Sequence, residues 1–86
     1  TLDITPSLEA QLIKRAKKNK EQVDRILRKA LEIVDNPHHY KNLRSPLQHL
    51  KRVHIDGSFV LLYSVNEETK TVLLEMFKHH DEAYTE

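Results

Sequence analysis

The residues best suited to chemistry sit in the second half of this 86-residue chain. Lys51-Arg52-Val53-His54 loads one apolar run with cations, and Lys78-His79-His80 closes a later one. Lys41 and Arg44 precede both. A guanidinium presents a planar fork that matches phosphate oxygens, and an imidazole titrates near neutrality and so can give or take a proton. The chemistry these types support is phosphate binding coupled to proton transfer. A metal site is not expected. His38-His39 and His79-His80 are adjacent pairs, and neighbours on a strand point to opposite faces. No cysteine and no His-x₃-His helical pair is present. Nor is there a glycine-rich phosphate loop or a nucleophile elbow, so no cofactor is expected.

Net charge is only +1, but it is unevenly spread. Residues 41–60 carry net +3 and residues 61–86 carry net −4. A local basic band can attract phosphates, although dedicated nucleic-acid binders are far more basic overall. The length suits one domain with one modest core. No apolar run approaches the ~20 residues of a membrane span, and a soluble cytoplasmic protein is expected.

Several elements must position these groups. Thr1 to Thr5 alternates polar and apolar residues, as a short half-buried strand does. Thr5-Pro6 reads as an N-cap followed by proline at the first helical position, opening a helix to about Lys18. Its apolar stripe is Leu8, Leu12, Ile13 and Ala16, with Lys14, Arg15, Lys17 and Lys18 toward water. Asn19 caps a second helix from Lys20 to about Val34, with Val23, Ile26, Leu27, Ala30, Leu31 and Val34 recurring at helical spacing. Asp35-Asn36-Pro37 stops it, and residues 37–46 read as a basic loop without apolar period.

From Leu47 onward, apolar runs alternate with short polar breaks. Asp56-Gly57-Ser58 holds the only glycine and signals a hairpin; Asn66-Glu67-Glu68-Thr69 is the second tip. The result is an α+β chain: an N-terminal strand, a two-helix hairpin, a three-stranded antiparallel meander and a short C-terminal segment, with the helices on one sheet face. Strand parity puts Val53, Ile55, Phe59, Leu61, Tyr63, Val65, Val72, Leu74 and Met76 under the helices. The opposite face then carries Arg52, His54, Glu75, Val60, Leu62, Leu73 and Phe77, a mixture too apolar for a plain solvated face, which fits either a partner surface or a sheet partly covered by its own loop and C-terminus.

This order of elements resembles the RelE/ParE toxin superfamily. The resemblance is carried by Leu50-Lys51-Arg52-Val53-His54-Ile55, by Gly57-Ser58-Phe59-Val60-Leu61-Leu62-Tyr63 and by the closing Lys78-His79-His80-Asp81-Glu82-Ala83-Tyr84. It implies a RelE-like toxin of a type II toxin-antitoxin system, one domain over residues 1–86. Such toxins are endoribonucleases that cut messenger RNA in the ribosomal decoding site by 2′-OH attack, and each is held by a RelB-like antitoxin. Carried over by motif, the catalytic positions are Arg52, Lys78, His79, His80 and Tyr84. Lys41, Arg44, Lys51 and His54 are the RNA-contacting candidates, and Val60, Leu62, Leu73 and Phe77 the antitoxin-contacting ones. Two positions depart from the pattern. Val60 stands where RelE-like nucleases carry an arginine, and His49 where the family has glycine. The alternative implied by Val60 is a binding or inhibitory module of the same fold, resembling the gyrase inhibitors or holding only an antitoxin.

Overall fold

The computed structural model describes residues 1–83, so Tyr84 lies outside the described residues. Strand β1 (Leu2–Ile4) leads into helix α1 (Pro6–Ala16), then α2 (Lys20–Asp35), β2 (Lys51–Ile55), β3 (Phe59–Asn66), β4 (Thr71–His79) and a short α3 (His80–Ala83). Both long helices start at the expected caps. The Thr5 hydroxyl accepts from the Leu8 amide with proline at the first turn, and the Asn19 side chain accepts from the Gln22 amide.

The four strands form one sheet in the order β1-β4-β3-β2. β2, β3 and β4 are the expected antiparallel meander, and β1 completes the sheet by pairing parallel to β4. The β2–β3 turn places Asp56 at φ 54° and Gly57 at φ 74°, the left-handed region that glycine enters without a Cβ penalty. The Asn66 side chain organises the other turn by accepting from the Glu68 and Thr69 amides.

The helix-side core gathers Leu8, Leu12, Ile26, Ala30 and Ile33 onto Val53, Ile55, Leu61, Tyr63, Val72 and Leu74. One expectation about the faces is overturned. Leu62 pairs with Met76, but the next residue, Tyr63, pairs with Leu74, so Glu75 is an extra residue in β4. Such a bulge breaks the period of two and turns the remainder of the strand to the opposite face. Phe77 therefore joins the helix-side core, stacked on Phe59 at 5.1 Å, while Met76 turns to the far side. The Glu75 carbonyl accepts from the Thr5 hydroxyl, which gives the bulged backbone a partner.

Of the two readings of the far face, cover by the chain's own loop is the one the structure shows. Leu50, Val60 and Leu62 form a second buried cluster, with Leu43, Leu47 and Met76 packed against it. The loop before β2 folds back over the sheet, held by Leu43 N–H to the Leu50 carbonyl at 2.8 Å. Val60, Leu62 and Phe77 are each 2 % exposed or less, so they offer no antitoxin a free apolar surface; Leu73 is half-buried. The open apolar surface lies elsewhere. Ile13, Leu27 and Leu31 remain exposed on the helices. Among the described residues no helix is long and apolar enough to cross a membrane.

Candidate functional site

Strand register decides which of the chemical groups meet. Arg52 lies opposite Leu62, which lies opposite Met76; His54 lies opposite Val60, which lies opposite Lys78. Directly opposed residues share a face, so Arg52, His54 and Lys78 all stand on the far side of the sheet, and all three are exposed. By strand spacing, Arg52 and His54 are about 7 Å apart along β2, and Lys78 is about 10 Å from His54 across β3. Long side chains at those separations can converge on one phosphodiester. Val60 sits between His54 and Lys78 but is sealed in the second cluster, so an arginine at that position would have to emerge past Leu50.

The imidazoles at the end of β4 are arranged differently. His79 opposes Phe59 and therefore has the parity of the helix side, opposite to that of Lys78. Its ring meets the Phe59 ring edge-on at 5.5 Å. His80 begins α3, its N–H bound to the Ser58 carbonyl at 2.9 Å, which fixes the strand-to-helix junction to the β2–β3 turn. The two imidazoles stand 4.9 Å apart, and His80 Nδ1 lies 2.8 Å from an Asp81 carboxylate oxygen. The sheet thus brings Arg52, His54 and Lys78 together and leaves His79 and His80 as a second group at its end.

The loop candidates divide as well. Lys41 and Arg44 are exposed. Lys51 is not available to RNA: it is buried, and its ammonium donates to the Tyr40 carbonyl at 3.1 Å and to Asn42 Oδ1 at 2.9 Å. It ties the loop to the sheet edge, which is the role its inward parity requires. Tyr63 supports the same loop from inside by donating to the Pro37 carbonyl at 3.1 Å. Burial pushes the Tyr63 phenol up to about 12, and the neighbouring Tyr40 adds to the shift.

Sequence reasoning passed over one polar network. Gln22 is buried on α2; it accepts from Arg15 at 2.8 Å and donates to Asp56 at 3.1 Å. Arg25 reaches the same carboxylate at 2.7 Å and holds its pKa below the usual carboxylate value through that hydrogen bond. Arg15, expected in water, lies over the Phe59 and Phe77 rings at 5.3 Å from each centroid. The network locks the helix hairpin to the β2–β3 turn, the turn that anchors His80. The helix period would point to Gln22 as core-facing, but a polar residue there gives no sign of its partner 34 residues away. Beside the turn, a pocket of about 240 Å³ opens between α2 and β2, lined by Arg25, Arg28, Lys29, Glu32 and His54 to Asp56.

Residues 2–84 match the family described as ParE toxin of type II toxin-antitoxin system, parDE. This chain belongs to that family. Among its relatives, an uncharacterised protein of Methanosarcina mazei is 54% identical to this ParE-family chain over 83 residues, covering 96% of each. A protein of Methanocaldococcus jannaschii provisionally named toxin RelE4 is 53% identical, covering 96% of the present chain and 88% of its own. The fold is shared with the YoeB–YefM complex from Staphylococcus aureus at a TM-score of 0.77 and 19% identity, over 93% of the present chain and 95% of the other. RelE-like architecture and ParE-family membership therefore coincide in one chain.

Proposed function

We propose that this ParE-family chain, as a single toxin domain, is a ribosome-dependent endoribonuclease that cuts messenger RNA in the decoding site. The observation that carries the reading is the register that puts Arg52, His54 and Lys78, each exposed, on one side of the sheet. In the reaction, the 2′-oxygen of a nucleotide attacks the adjacent phosphorus, forming a 2′-O–P bond while the P–O5′ bond breaks. A base takes the 2′ proton, and an acid supplies one to the leaving 5′ oxygen. Arg52 and Lys78 are placed to steady the negative charge of the pentavalent phosphorane. His54, His79 and His80 are the groups for proton transfer, and Lys41 and Arg44 extend the cationic surface along the RNA. No metal is required by this chemistry.

An antitoxin partner is supported by the family and by the S. aureus homologue of the fold, which was solved as a YoeB–YefM complex. The apolar surface left for it is the groove between α1 and α2. Ile4, Leu12, Ile13, Ala16, Val23 and Leu27 line about 240 Å³ there, together with the charged Glu9. Lys17, Lys18 and Lys20 gather at the α1–α2 junction and Glu9 lies in the groove, so the complement is an amphipathic segment with its apolar face in the groove and an acidic flank toward the junction only. This groove replaces the surface first expected around Val60 and Phe77.

A second reading is favoured by Val60. The residue that would be a phosphate-binding arginine is a fully buried core residue, and removing one such donor commonly costs ~10²–10³ in rate. On that reading the chain inhibits by binding, as a gyrase inhibitor does. Translating ribosomes with a defined messenger separate the two. Primer extension should reveal cuts in the decoding site with the wild type, few or none with Arg52→Ala or Lys78→Ala, and none on naked RNA. A folded wild-type protein that leaves the messenger intact would sink the nuclease reading and leave the binding one.

A further inference from the structure

The two adjacent histidines that close β4 escape the alternation that speaks against a metal. Neighbours point to opposite faces only while both belong to the strand. His79 is the last residue of β4 and His80 the first of α3, so the chain turns between them. That turn brings their rings to 4.9 Å and sets Asp81 beside both. One ligand atom from each of His79, His80 and Asp81 lies within 4.8 Å of the others.

We propose that His79, His80 and Asp81 form a binding site for a divalent first-row transition-metal ion of the zinc type. Donors about 2.0–2.2 Å from a tetrahedral zinc stand about 3.3–3.5 Å from one another. One Asp81 carboxylate oxygen, Oδ1, lies 2.8 Å from His80 Nδ1, and the other, Oδ2, lies 3.6 Å from His79 Nδ1, either side of that range. Closing the three donors on one ion asks only for rotation of the half-exposed imidazoles and of the exposed Asp81 carboxylate. Two nitrogens and one carboxylate suit zinc or nickel and not magnesium, which prefers oxygen ligands in an octahedron. Three protein ligands leave a fourth position open. The frame is stiff where it needs to be. The His80 amide is held by the Ser58 carbonyl, and the His79 ring packs against Phe59. Without an ion, the Asp81 carboxylate is the hydrogen-bond partner of His80 and the Asp81 N–H donates to His79 Nδ1 at 3.3 Å; an ion would displace both contacts, or take His79 through Nε2.

The site shares His79 and His80 with the nuclease reading, where a bound ion would withdraw them from proton transfer, but its test reads binding alone and does not depend on that reading. The full chain is titrated with Zn²⁺ by calorimetry, with Ni²⁺ and Mg²⁺ in parallel and circular dichroism verifying the fold of each variant. The expected result is one Zn²⁺ per chain, comparable Ni²⁺ uptake and no Mg²⁺ uptake. Losing an outer-shell partner of a metal site typically costs roughly 10–100-fold in affinity, so His79→Ala and His80→Ala should each cost at least that. His38→Ala and His39→Ala, in the other histidine pair, should leave uptake unchanged. Zinc uptake weaker than millimolar, unchanged uptake in folded His79→Ala and His80→Ala, or uptake abolished by the His38 and His39 variants would overturn the proposal.

Discussion

Placing arginine at Val60 tests whether the far face of the sheet is sealed. Val60 is fully buried between Leu50 and Leu62, under a loop that also contributes Leu43 and Leu47. Removing a buried valine loses about 1.5 kcal/mol of burial, and an arginine head left inside would cost several kcal/mol more. The guanidinium must therefore leave, between His54 and Lys78, and its exit lifts the loop that covers it. Exposing the Leu50 side chain alone then costs about 2 kcal/mol. The aliphatic stem recovers part of this by lying along apolar surface. The net expectation for Val60→Arg is a loss of about 3 kcal/mol, a fall in Tm of roughly 10–25 °C for a domain of this size. Val60→Ala, which leaves a small cavity, should cost about 1–2 kcal/mol and keep the loop closed. Urea denaturation gives both values. Amide hydrogen exchange at Leu43, whose N–H is held by the Leu50 carbonyl, reports the loop. If Val60→Arg stays within about 1 kcal/mol of wild type with the Leu43 amide still protected, the far face is not sealed. The family arginine would then be compatible with this chain as it stands.

Two further expectations concern titration. Tyr63 has its folded pKa raised to about 12, so its neutral form stabilises the fold fully below pH 10, and that stability is lost as pH rises toward 12. Tyr63→Phe should flatten the alkaline limb of the stability curve and, by stranding the Pro37 carbonyl, cost about 1 kcal/mol at pH 7 in urea melts. Asp56 runs the other way. Its pKa is lowered by the Arg25 hydrogen bond, so its contribution is present above pH 4 and lost as pH falls through the depressed value. Arg25→Ala should therefore be less stable than wild type near neutrality and equal to it in strong acid, and a difference that persists in strong acid would point away from the carboxylate.

Local chemistry made much of the fold legible. Thr5-Pro6 and Asn19 cap their helices where expected, and the Asp56-Gly57 turn falls between the strands it was expected to join. Each is a property of a few consecutive residues, where propensity and hydrogen bonding act alone. The three strands came from the same kind of signal, and Arg52, His54 and Lys78 were already singled out by type.

Long-range contacts settled the rest. Glu75 becomes an extra residue only because β3 and β4 pair as they do, and from that point parity exchanges Met76 with Phe77. Leu43, Leu47 and Leu50 show no strand period, yet together they close the far face, because burial asks only that apolar groups meet in space. Lys51 reads as one more cation until its ammonium is found on the Tyr40 carbonyl. His79 and His80 read as opposed neighbours until the strand ends between them. The sequence by itself determined the elements, their caps and the stock of chemical groups, since those depend on residues close in the chain. Which groups share a face, and which are buried, was decided by strand register and by the folded-back loop, which exist only once distant residues pair.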